Sequence, residues 1–308
     1  MSRRGTSTGN RTGNRPGPTP AGRRLLVAAA AVVAVPALLL PGCASRSPME
    51  AMVHDLSGFR TEDGGYSSTA PPGAAGEQAA DLYFAGAIAY STGEEDRFIG
   101  SEGAERAGAY AAAADDGDCD TLVFSAAVLH MVEERDPALE ERAASCTFGR
   151  LGAEGVHRDN VDAVGPVLGA LERLGYADKI PPLAAEPFEV NDRADRHRAW
   201  QLLALLSYLG NREEILEHYE REIGELGDFL DDPGGDALLA EVIAAYGAAS
   251  VVPGDHMGPH GPSDDLLAWL EETKGCGGSD SHHRASPDTD FCLLRDSWTG
   301  LSSGLIPR

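Results

Sequence analysis

Positive charge is scarce in this chain outside its N-terminus. All six basic residues before position 25 are Arg (Arg3, Arg4, Arg11, Arg15, Arg23, Arg24), and no acid accompanies them. Setting those six aside leaves 19 basic residues against 49 acids, a net charge of about −30. Nucleic-acid binding draws on clustered cations, so a nucleic-acid partner is excluded. Anionic lipid head groups would repel such a body as well. Also missing are a Gly-rich phosphate loop and a Gly-x-Ser-x-Gly motif. Alternation of period two is rare, so strands should be few. No apolar run reaches the roughly 20 residues that a membrane span needs.

The longest such run, Leu25 to Leu40, has 16 residues. Arg23-Arg24 precede it, and Leu40-Pro41-Gly42-Cys43 ends it. A basic region, a short apolar region and small residues make a secretory signal over residues 1–42. The ending resembles a bacterial lipobox, which implies a diacyl group on Cys43 and a membrane anchor on the extracytoplasmic face. An uncleaved anchor or a plain secretory signal is the alternative. Residues 43–57 then read as a tether, and 58–308 as one domain.

That domain repeats. Asp81, Asp120, Asp159, Asp195, Asp236 and Asp290 each open an apolar or amphipathic stretch, at intervals of 39, 39, 36, 41 and 54 residues. Asp is a favoured helix N-cap and Gly a favoured stop. Each unit therefore reads as a capped helix. Several are apolar on nearly every side, as in Phe84-Ala85-Gly86-Ala87-Ile88-Ala89. A helix of that kind must be buried all round. Between them lie one-sided segments: 138–144, a single amphipathic helix over 213–229, and 263–270. Buried and amphipathic helices alternate, about six of each. The fold class read from this is all-α, an (α/α)6 toroid of inner and outer helices.

The loop Gly64-Gly65-Tyr66 and the Asp-led DLYFAGAIAYSTG after it resemble one repeat of the prenyltransferase and squalene-hopene cyclase superfamily. Gly275-Cys276-Gly277-Gly278 and the helix after Asp290 resemble another. The resemblance implies a toroid with a central apolar cavity. Its chemistry does not carry over. Protein prenyltransferases hold zinc with Asp-x-Cys and a later His. Asp290-Phe291-Cys292 matches the pair, but no His follows. The run Asp115-Asp116-Gly117-Asp118-Cys119-Asp120 lacks the order of a cyclase acid motif. Gly275-Cys276-Gly277 lacks the Gln that closes a thioester.

Four cysteines remain besides Cys43. In an exported chain they read as two disulfides, Cys119–Cys146 within one helical pair and Cys276–Cys292 across a Gly-rich loop. Buried thiols or metal ligation are the alternatives. No metal or other cofactor is expected. The weak metal candidates are Asp290, Cys292 and His282, beside His283. His256 and His260 flank Pro259, which prevents a helical pair. His130 and His197 read as core histidines. Tyr66, Tyr83, Phe84, Trp200, Tyr208 and Tyr246 are core residues first and candidate cavity lining second. The recurrent Asp residues read as caps, since a catalytic acid is needed once and a cap at every helix.

No catalytic residue emerges. The favoured function is a membrane-anchored binding or interaction module with an apolar small-molecule or protein partner. The alternatives are an enzyme of the resembled superfamily acting on an apolar substrate, and a carbohydrate-active toroid with two carboxylates about 5–10 Å apart.

Overall fold

A computed structural model describes residues 47–73, 78–254, 262–276 and 279–306. The expected export signal, Cys43 and the loop with His256 and His260 lie outside these residues. Among the described residues there are fourteen α-helices and four short strands, and no helix is long and apolar enough to cross a membrane.

The first helix, α1 (Pro48–His54), stands where a tether was expected. Ser47 and Glu50 form a capping box around Pro48. That closes the free amides of the first turn. Met49, Met52, Val53 and, in the 3-10 turn that follows, Leu56 and Phe59 are buried. Residues 48–57 therefore belong to the body. Strand β1 (Thr69–Ala70) comes next, then α2 (Ala79–Tyr90), α3 (Glu95–Phe98), α4 (Gly100–Ala113), α5 (Cys119–Met131), α6 (Pro137–Glu154) and α7 (Val161–Arg173). After an extended stretch come α8 (Arg193–Ala204), α9 (Arg212–His218), α10 (Glu220–Gly224), α11 (Leu226–Asp231) and α12 (Leu239–Val251). The chain closes with α13 (Asp264–Thr273), β2 (Lys274–Cys276), β3 (Ser279–His283), β4 (Cys292–Leu293) and α14 (Leu294–Ser303). The strands pair antiparallel, β1 with β4 and β2 with β3.

Two kinds of helix alternate. Ten of the twelve residues of α2 are buried, and ten of the thirteen of α5. Only four of the fourteen residues of α4 are. The buried helices pack in series: α2 on α5, α5 on α7, α7 on α8, α8 on α12, α12 on α14, and α14 on α2. Helices α4 and α6 lie on α5, and α11 lies on α12. Each fully buried Leu, Ile or Phe in such a core is worth about 1.5–3 kcal/mol.

The recurrent acids do not start the helices as expected. Asp81 and Asp195 sit one turn inside, and Asp120 at the second position of α5. The carboxylate of Asp81 reaches back to accept the Gln78 amide at 3.0 Å. Asp159, Asp236 and Asp290 precede their helices. Other residues do the capping: Asp118, Asp136, Asp192 and Ser263 accept first-turn amides.

The expected single helix over 213–229 is three short ones. Tyr219, at the first break, is fully buried and its hydroxyl accepts the Phe188 amide at 3.0 Å. The Trp200 indole donates to the Glu222 carbonyl at 3.1 Å. Those demands pull the backbone out of one continuous ladder.

Both disulfides form as paired in the sequence reading. Cys119–Cys146 joins α5 to α6, and Cys276–Cys292 joins β2 to β4, with Cα separations of 5.4 and 5.7 Å. Closing loops of this size is worth about 3 kcal/mol each in the chain-entropy picture. One glycine is fixed by geometry. Gly155 ends α6 at φ +67°, and a Cβ there would lie 2.6 Å from the Ala184 carbonyl oxygen. That carbonyl accepts the Val156 amide at 2.8 Å, so it is not free to move. Gly155→Ala should cost on the order of 3 kcal/mol in urea denaturation, from backbone strain plus the clash. An unchanged midpoint would show that the α6 terminus is loose.

Candidate functional site

The interior has one half filled and one half open. Around α2, α5 and α14 it is filled by rings. Tyr83 stacks on Phe124 at 5.0 Å, and Phe84 meets Trp298 at 5.3 Å. Gly169 of α7 lets Trp298 approach, since a Cβ there would stand 3.0 Å from the indole. Between α7, α8, α12 and α14 a cavity of about 140 Å³ remains. Val161, Leu205, Ile243 and Ala244 supply much of its apolar wall. Its polar side chains are Asp162 on α7, Gln201 on α8, and Arg295, Asp296, Thr299 and Ser303 on α14.

Asp296 is the unusual group. It is only 3% exposed. Its ion partner is its neighbour Arg295, whose Nε lies 3.7 Å from Oδ1, longer than a normal hydrogen bond. The other buried acids are closed. Glu140 receives a two-pronged Arg135 at 2.9 and 2.8 Å. Asp195 receives Arg158 at 2.7 Å. Glu222 receives Arg221 at 3.0 Å, and Glu241 receives Arg193 at 2.5 Å from two nitrogens. Asp296 occupies the first turn of α14, as Asp81 does in α2 and Glu241 in α12. Glu241 accepts its helix's N-cap amide at 2.9 Å, as Asp81 does at 3.0 Å. At α14 the entering chain is already tied elsewhere: Leu293 pairs with Thr69, and the Leu294 amide donates to Ser68 at 2.9 Å. The Asp296 carboxylate is left to the cavity.

Burial pushes the Asp296 carboxyl up to about 6, with Arg295 pulling the other way. On the adjacent helix, burial pushes His197 down and keeps the imidazole neutral, against the pull of Asp162 and Glu241. His197 Nε2 and Gln201 Oε1, one turn apart on α8, are both buried without a hydrogen-bond partner. Arg198 holds Asp162 at 3.8 Å.

The six aromatic side chains read first as core are core or packed against it, and none lines this cavity. Tyr83 and Phe84 belong to the packed half. Trp200 is buried against Phe229 at 4.7 Å. Tyr66 is 2% exposed and donates to the Phe98 carbonyl at 2.8 Å. Tyr208 borders a surface cleft and bonds Glu172. Tyr246 is a half-buried part of the core rim. Aromatics this large pack where space is closed, and the open half is walled by small and aliphatic residues.

The metal candidates are likewise engaged otherwise. Cys292 is in a disulfide and has no thiolate to offer. Asp290 lies in an exposed loop. His282 is fully buried, with Nε2 at 2.9 Å from the Met52 carbonyl and Nδ1 at 2.9 Å from Ser297 Oγ. Burial pushes it down to about 4, and the neutral ring ties α1 to β3 and α14. No group of three or more metal-ligating side chains is found among the described residues.

Sequence reasoning missed Asp296, Gln201 and Asp162. Alignment on helix starts, with the acid one turn inside, would have put Asp296 in register with Asp81 and Glu241. Alignment on the preceding Asp residues put Asp290 there instead.

No family model matches the chain, and no curated protein and no solved structure matches it.

Proposed function

We propose that this chain is an exported, lipid-anchored binding protein, built as a closed ring of six helix pairs with a small ligand site at its hub. The observation that carries this reading is the 140 Å³ cavity lined by a buried carboxylate, Asp296, whose ion partner Arg295 stands 3.7 Å away. A buried carboxylate paired only at this distance opposes folding more than a closely hydrogen-bonded one, and a ligand that meets it relieves the cost. The ring is supported by the serial packing of α2, α5, α7, α8, α12 and α14, the last returning to the first. The lipid anchor is supported by the signal-like residues 1–42 and Cys43. The acidic composition supports a partner other than nucleic acid.

The volume separates this reading from its rival. A cavity near 150 Å³ takes a molecule about the size of benzene. A long isoprenoid chain needs several times that space. An enzyme of the cyclase or prenyltransferase superfamily, acting on an apolar substrate, therefore has one observation for it and one against. A carboxyl held near 6 is what a proton donor requires. The cavity that holds it encloses about 140 Å³, room for only part of such a substrate.

Native mass spectrometry of the protein extracted from its own membranes tests the proposal. The expected result is a diacylated N-terminus at Cys43 and a retained molecule of roughly ten non-hydrogen atoms or fewer, in keeping with the cavity. Ala244→Leu, which fills the hub, should abolish retention. An unprocessed N-terminus would remove the anchor. Retention of a long-chain molecule, or retention unaffected by Ala244→Leu, would remove the hub site.

A further inference from the structure

The groups facing the hub cavity are mostly acceptors. Asp296 offers carboxylate oxygens with Arg295 no closer than 3.7 Å, and Gln201 offers a buried Oε1 without a donor. Thr299 and Ser303 spend their protons on the carbonyls of Arg295 and Gly300, at 2.7 and 3.1 Å, and Ser303 Oγ also accepts the Leu305 amide at 3.4 Å, so neither hydroxyl has a proton to offer. Asp162 adds a second carboxylate, already near Arg198 at 3.8 Å. A ligand suited to this set must bring donors. The charge at the center of the set is negative and buried, so the best-matched donor is a cation. The remaining wall, with Leu205 and Ile243, suits a short alkyl group.

We propose that the hub binds a small organic ammonium, its N–H groups on Asp296 and Gln201 and its alkyl part against Leu205 and Ile243. This rests on the hub-site reading above. Arg295 also lines the cavity, so a ligand carboxylate would meet a guanidinium there. Two sources share the ammonium chemistry: a simple amine and an amino-acid zwitterion.

Calorimetric titration of the full protein at pH 8 distinguishes them, with isobutylammonium, valine and isobutanol as probes. Isobutanol has the amine's shape without its charge. The amine or the zwitterion is expected to bind about 10- to 100-fold more tightly than the alcohol, the worth of a hydrogen bond to a charged group. Tighter binding of valine would identify the zwitterion, and tighter binding of isobutylammonium the simple amine. Asp296→Asn should remove the advantage of either over isobutanol. Gln201→Met, which keeps the volume, should reduce it and serves if Asp296→Asn does not fold. Equal affinity for alcohol and amine would overturn the ammonium while leaving the hub site standing. An unchanged amine affinity in Asp296→Asn would do the same. Binding of none of the three probes would overturn both.

Discussion

Asp296→Asn should make the ligand-free protein more stable at pH 7.5, by about 3 kcal/mol. Most substitutions of a buried charged residue act the other way. The difference follows from what surrounds the carboxylate. Its folded-state value, about 6, lies above the ordinary 3.8. Between those two pH values the native state holds a proton that the unfolded chain has released. Stability must then fall as pH rises through that window, and the whole penalty is present above it. Asn keeps the shape and carries no charge, so the penalty disappears. For a domain of this size about 3 kcal/mol corresponds to roughly 6–12 °C in Tm. Scanning calorimetry at pH 4 and pH 7.5 checks this. The two proteins should melt together at pH 4 and separate at pH 7.5, with the variant higher. A lower Tm for Asp296→Asn at both pH values would mean that Asp296 serves the fold.

Arg193→Ala should do the opposite and lose about 3–5 kcal/mol. Arg193 opens α8 and forks onto both oxygens of Glu241 at 2.5 Å, with a further bond to Asp236 at 2.6 Å. Glu241 is 3% exposed and also closes the start of α12 through the Leu238 amide. Removing the guanidinium strands that carboxylate inside the α8–α12 seam. Urea denaturation of Arg193→Ala, alone and with Glu241→Gln, reads the effect. The second change should restore part of the loss, because it neutralises the stranded charge. A loss under about 1 kcal/mol would place the pair among ordinary surface salt bridges. The contrast with Asp296 is physical: both acids are buried in the first turn of a helix, and only one has a cation within hydrogen-bond reach.

That contrast marks the limit of the sequence. Apolar periodicity located the buried helices, because a segment such as 79–90 has no polar face to offer solvent. The two cysteine pairings were legible because Cys119–Cys146 joins one helical pair and Cys276–Cys292 closes a short Gly-rich loop. The helix starts were not legible. Asp is favoured both before a helix and within its first turn, and spacing alone cannot tell the two placements apart. The helical nature of 48–57 was hidden by shortness. Its apolar residues become informative only once β3 is there to receive them, with the carboxylate of Asp55 accepting from Ser281 at 2.7 Å and from the Asp280 amide at 3.1 Å. The candidate site was hidden for a deeper reason. Nothing in the letters around Asp296 says that Arg295 will stop at 3.7 Å, or that β1 will take over the backbone bonds at the start of α14.

The most direct measurement is a carbon-13 NMR titration of the Asp296 side-chain carboxyl in the ligand-free protein, assigned by its absence in Asp296→Asn. A midpoint near 6 is expected for a carboxylate buried in this cavity with Arg295 no closer than 3.7 Å. A midpoint at or below 3.8 would mean that the group is solvated or hydrogen-bonded, and the hub site proposed around it would not stand.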